Sequence, residues 1–103
     1  MKRFDVYLVQ LDPTIGSEMK KTRPCVVVSP DEIHFLKTCI IAPLTSKTHG
    51  FPSRVLTVFN GVKGEIALDQ LRTVDSSRLV KKIGCLPAIT TKEVVDVLIE
   101  MFG

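Results

Sequence analysis

The chain has 103 residues, 45% hydrophobic and 24% charged, which suits one compact domain over residues 1–103 and excludes a disordered, collagen-like or fibrous protein. No apolar run approaches the roughly 20 residues needed to span a bilayer, and Gln10, Asp12 and Pro13 interrupt the first apolar segment before it could act as a signal-peptide core, so a cytoplasmic protein with no membrane partner is expected. The net charge of +3 is too mild for a protein that coats nucleic acid, yet it admits an anionic partner.

Short apolar runs recur along the chain, separated by Gly, Pro, Asp, Ser and Asn. Residues 6–11 read as a first strand with Tyr7, Val9 and Leu11 on one face, and Asp12-Pro13 opens a long polar loop through Gly16, Ser17, Glu18, Lys20 and Lys21. Val26-Val27-Val28 reads as a central strand because β-branched residues suit a buried pleated surface, with Pro24 as its entry residue and Ser29-Pro30-Asp31 as its stop. Residues 39–42 form another buried strand, ended by Pro43. A second flexible loop covers residues 46–52, and a further strand covers 54–58. Asn60-Gly61 is a hairpin signal. Residues 65–68, 72–74 and 80–85 supply the remaining strands. A capping box, Thr90-Thr91-Lys92-Glu93, then opens a C-terminal helix. In that helix Lys92, Asp96 and Glu100 form one solvated stripe, and the wide apolar arc around it predicts burial against a sheet.

Six or seven strands followed by one helix predict a mainly β fold, a small barrel or strongly curved sheet closed by the helix. Short strands leave an edge or an apolar face to cover, so a homodimer is expected. Cys25, Cys39 and Cys85 stand singly in apolar stretches with no Cys-x-x-Cys spacing. They read as buried thiols, and neither a metal nor another cofactor is expected.

Three segments carry polar residues with chemical potential. The first is Asp12-Pro13 with Gly16-Ser17-Glu18, followed by Thr22-Arg23-Pro24. The second is Pro43-Leu44-Thr45-Ser46. The third is Asp69-Gln70 with Arg72-Thr73. Together with the opening strand and the final helix, in this order and at this spacing, they resemble the MazF/PemK/Kid family of toxins of type II toxin–antitoxin systems. The resemblance covers nearly the whole length and implies an SH3-like, CcdB/MazF-type barrel that dimerises. It implies an endoribonuclease cutting single-stranded RNA, silenced by a MazE-like antitoxin. In the family's ribonucleases the positions matched by Arg23 and Thr45 are the main catalytic ones, Glu18 matches the loop glutamate, and Gln70 matches a position that helps hold RNA. Kid-like relatives carry an Arg-x-Asp pair in the third segment, where this chain has Ala67 and Asp69. The aspartate is kept and the arginine is not, so the burden falls more heavily on Arg23.

The residues support the same chemistry on their own. RNA cleavage without a metal needs the 2′-hydroxyl to attack the adjacent phosphorus, giving a 2′,3′-cyclic phosphate and a free 5′-hydroxyl. Arg23 offers a planar set of donors suited to phosphate oxygens. Thr45 offers a hydroxyl for a non-bridging oxygen or the attacking group. Glu18 is either the general base or an orienter of Arg23. Lys20, Lys21, Ser46, Lys47, His49 and Asp69 are the expected RNA contacts, joined by Gln70 as the resemblance implies. His49 is a loop residue that touches RNA rather than the general base, and His34 is structural. Phe51 either stacks on an unpaired base or plugs the barrel end. Asp69 has the alternative of capping a short turn, and Arg72 and Asp75 are expected to form a structural salt bridge. Two rival readings remain: a CcdB-like, non-enzymatic gyrase-binding toxin, against which Arg23 and Thr45 argue, and an inactive relative that only binds antitoxin.

Overall fold

A computed structural model describes residues 1–11 and 21–103. Its strands are β1 (Asp5–Gln10), β2 (Thr22–Val27), β3 (Thr38–Thr45), β4 (Arg54–Phe59), β5 (Val62–Ala67), β6 (Arg72–Asp75) and β7 (Leu79–Cys85). The helix α1 (Ala88–Phe102) follows, and short 3-10 turns cover Asp31–Leu36, Leu68–Gln70 and Ser76–Arg78. All pairings are antiparallel. The sheet runs β4-β5-β3-β2-β1-β7, with β6 added to β3, and curls into a half-barrel. The expected mainly β fold with a C-terminal helix is therefore present.

Cys25-Val26-Val27-Val28 shows no polar alternation because both faces of this part of the sheet are covered. Val26 and Val28 join a core with Val6, Ala42, Ile66, Leu68 and Val94. Cys25 and Val27 join a second core with Val9, Cys39, Ile41 and Val74. The Asn60-Gly61 signal turns β4 into β5, with both residues at positive φ (50° and 77°), as a type I′ hairpin requires.

Four expectations are corrected. Pro43 does not end its strand; it pairs with Cys25 inside β3. On its other side β3 pairs with β6 from Thr38 to Ile41 and with β5 only from Leu44. Pro43 therefore falls in the gap between two partners, where a missing N–H breaks no ladder bond. Pro24 likewise lies within β2, just before the β3 ladder begins at Cys25.

The capping box is the third correction. The helix starts three residues earlier, at Ala88 with Pro87 rather than Thr90 at the cap; Thr90 is buried in its first turn, and the Thr91 hydroxyl donates back to the Ala88 carbonyl. Lys92 and Asp96 do pair on the solvated stripe, at 3.1 Å. The apolar arc is only half used: Val94 is buried, whereas Ile99 and Phe102 are exposed. Lastly, Cys25 and Cys39 are buried but Cys85 is exposed. Among the described residues no helix is long and apolar enough to cross a membrane.

Candidate active site

The curl of the sheet leaves a cleft of about 460 Å³ between β2, the end of β3 and the β4–β5 hairpin. Arg23 enters it from β2, Thr45 and Ser46 from the end of β3, and Lys63 and Glu65 from β5, with Leu8, Phe59 and Ile83 forming apolar wall. Two segments 22 residues apart in sequence thus meet in one concavity because β2 and β3 are hydrogen-bonded neighbours.

Arg23 is exposed, and among the described residues no carboxylate lies within ion-pair distance of it. Beside it, burial pushes the Cys25 thiol up to about 11, against the opposing fields of Arg23 and Arg72. Thr45 is held by its own turn. Its Oγ1 accepts the Lys47 backbone N–H at 3.2 Å, which fixes the side chain and leaves the hydroxyl proton free to donate elsewhere. Gly64, one residue before the ladder partner of Thr45, lies close against it, and a Cβ on Gly64 would collide with the Thr45 carbonyl oxygen. The close approach of β5 to Thr45 therefore depends on glycine.

Glu65 is the residue that sequence reasoning assigned no role. Paired with Thr45 in the β3–β5 ladder, it is only 1% exposed. Oε1 accepts the His49 N–H and Oε2 the Gly50 N–H, both at 2.9 Å, and Arg54 Nη1 lies 3.4 Å from Oε1. The His49 N–H bond above all, with that of Gly50 and the charge of Arg54, holds the carboxyl below the usual carboxylate range despite its burial. A single acid at the head of the apolar run Ile66-Ala67-Leu68 is the available signal, since a buried charge demands partners.

Arg54 links this carboxylate to a second one. Its Nε donates to Asp69 Oδ1 at 2.6 Å and its Nη2 to Asp69 Oδ2 at 3.2 Å, while the Ser53 hydroxyl donates to Oδ1 at 2.9 Å. The Arg54 bonds hold Asp69 down to about 2. Arg54 is also the cross-strand partner of Ala67. The arginine absent from the third segment is thus met in space by one from the opposite strand.

The expected residues do not all converge. Arg23, Thr45 and Ser46 line the cleft; Lys21, Lys47 and His49 are exposed beside it, and the His49 side chain stacks on Phe51. Asp69 and Gln70 sit on the 3-10 turn Leu68–Gln70, outside the cleft lining, with Asp69 engaged by Arg54 rather than capping that turn. Glu18 and Lys20 lie outside the described residues, as does the rest of the first polar loop from Asp12. His34 is structural, its Nε2 at 2.9 Å from Ser29 Oγ. The expected Arg72–Asp75 bridge is absent: residues three apart on a strand point to opposite faces, and Asp75 instead accepts the Ser77 N–H at 2.9 Å. Among the described residues no group of three or more His, Cys, Asp or Glu side chains is placed to hold a metal ion.

Comparison with known proteins adds three findings. Residues 2–102 match the family described as PemK-like, MazF-like toxin of type II toxin–antitoxin system. Endoribonuclease PemK of Escherichia coli is 32% identical over 92% of this chain and 77% of its own length. Endoribonuclease MazF of Staphylococcus saprophyticus is 35% identical over 91% and 84%. Among solved structures, a MazE–MazF complex from Deinococcus radiodurans superimposes with a TM-score of 0.81 at 26% identity, covering 100% of this chain and 96% of that one.

Proposed function

The chain belongs to the PemK-like, MazF-like toxins of type II toxin–antitoxin systems, and from that premise we propose that this endoribonuclease cuts single-stranded RNA in the cleft of Arg23 and Thr45. One observation carries the assignment: a guanidinium with no carboxylate partner among the described residues and a hydroxyl with its proton to spare share one concavity. Arg23 clamps the non-bridging oxygens of the scissile phosphate as negative charge grows on them. Thr45 donates its hydroxyl proton to the same group. The 2′-oxygen attacks phosphorus, the P–O5′ bond breaks, and the products are a 2′,3′-cyclic phosphate and a 5′-hydroxyl, with no metal ion in any step. Glu18 supplies the base or orients Arg23. Lys20, Lys21, Ser46, Lys47 and His49 hold the strand along the cleft, and Asp69 and Gln70 contact it from the turn Leu68–Gln70, outside the cleft lining.

In the same reading the toxin works in the cytoplasm as a homodimer held in check by a MazE-like antitoxin. Solved MazE–MazF complexes with the same fold support the antitoxin partner. The large exposed side chains Phe35, Ile89 and Phe102 support an assembly that covers them.

The test is cleavage of a long, poorly structured RNA in EDTA by the parent and by Arg23→Ala, with the new ends mapped. Discrete cuts bearing 5′-hydroxyls are expected, with a loss on the order of 10²–10³ in the variant. Intact RNA from the folded parent, or full activity in the variant, would overturn the assignment.

A further inference from the structure

The segment between β3 and β4 presents more than the cleft requires. His49 and Phe51 stand on it as a stacked pair, with ring centroids 5.1 Å apart and planes 8° from parallel. Both are exposed, Phe51 by half its surface. The pair is not a loose surface contact. The Arg54 guanidinium lies 5.2 Å from the Phe51 centroid and is fixed in turn by Asp69. Glu65 takes the backbone N–H groups of His49 and Gly50. Four hydrogen bonds, two from the backbone to buried Glu65 and two from Arg54 to Asp69, thus back two aromatic rings that face water, an arrangement a merely solvated loop does not need.

We propose that the His49–Phe51 pair is a nucleobase-stacking platform, holding one unpaired base next to the scissile phosphate, with Glu65 and Arg54 as its positioning residues. The proposal rests on the ribonuclease reading above. Every base offers a π-face, so a flat, exposed ring pair takes an unpaired base without demanding a particular hydrogen-bond pattern, and a purine overlaps it more fully than a pyrimidine. Its place is set by Glu65, which pairs with Thr45 in the ladder and carries the platform on its carboxylate oxygens. The base on the platform is therefore an immediate neighbour of the phosphate at Thr45. Glu65 itself is a weak proton acceptor, because the His49 and Gly50 N–H groups stabilise its ionised form.

The chain contains no tryptophan, which gives the test a clean reporter. Phe51→Ala is expected to raise KM for a short RNA about tenfold to a hundredfold, with a much smaller fall in kcat, and Phe51→Trp to restore KM. In the F51W variant, a short single-stranded oligonucleotide with 2′-deoxy sugars is expected to quench the new fluorescence. An abasic position facing the platform should abolish the quench. Parental KM in Phe51→Ala, or unquenched fluorescence with bound oligonucleotide, would overturn the platform. A parent that cuts no RNA at all would instead overturn the ribonuclease reading, and the quenching experiment would still decide the platform by itself.

Discussion

Replacing Gly64 with alanine tests whether the position of Thr45 is set by backbone contact. The added Cβ would lie 3.1 Å from the Thr45 carbonyl carbon, tighter than ordinary van der Waals contact, and closer still to its oxygen. Both neighbours are backbone atoms in a paired ladder, so no side chain can turn away, and the strands must part by about 1 Å. Overpacking of this kind costs about 1–3 kcal/mol, whereas the gain from a stiffer unfolded chain is only about 0.4–1 kcal/mol. The clash wins. For a domain of this size a net loss of 1–2 kcal/mol lowers Tm by about 4–16 °C. The effect on chemistry is larger, because a shift of about 1 Å in a positioned group costs on the order of 10² in rate. Thermal melts, together with single-turnover cleavage of a short RNA at about 25 °C, well below the transition, separate the two effects. A G64A protein with parental Tm and parental rate would refute the idea that β5 positions Thr45.

Two further outcomes follow from the charges and thiols. Asp69 is held at about 2 against an ordinary 3.8, so its pairing with Arg54 stabilises the fold above the ordinary value and is lost as pH falls through about 2. Asp69→Asn is therefore expected to melt below the parent at pH 7 and to converge with it near pH 2; an equal gap at both pH values would contradict the linkage. Under native conditions at pH 8, maleimide should label Cys85 alone, since Cys25 and Cys39 are buried and burial raises both thiols. Mass spectrometry showing two or three labels on the folded protein would contradict that.

The features legible in the sequence are those whose cause is local. The valine run, the Asn60-Gly61 hairpin and the existence of a final helix each follow from a few adjacent residues. Pro43 was misread because its tolerance depends on which strands lie beside it, and β3 changes neighbours at that residue. The helix start was misread because Thr90 is drawn into the core, leaving Pro87 to precede the first turn. The same division holds for the site. Arg23 and Thr45 stand out through short motifs that match a family. Glu65, Arg54 and Asp69 form one network from three separate segments, and only the β4–β5 register brings Arg54 opposite Ala67. Nothing in the spacing of those residues announces that arrangement.

The divided partnership of β3 has a consequence for how this protein moves. One strand pairs with β2 along one side and with β6 and then β5 along the other. It cannot fray from one neighbour without loosening the rest, so its amides belong to the most slowly exchanging, globally cooperative unit of the chain. Thr45 ends that strand. The end of the cleft at Thr45 is therefore anchored to the part of the molecule that opens last.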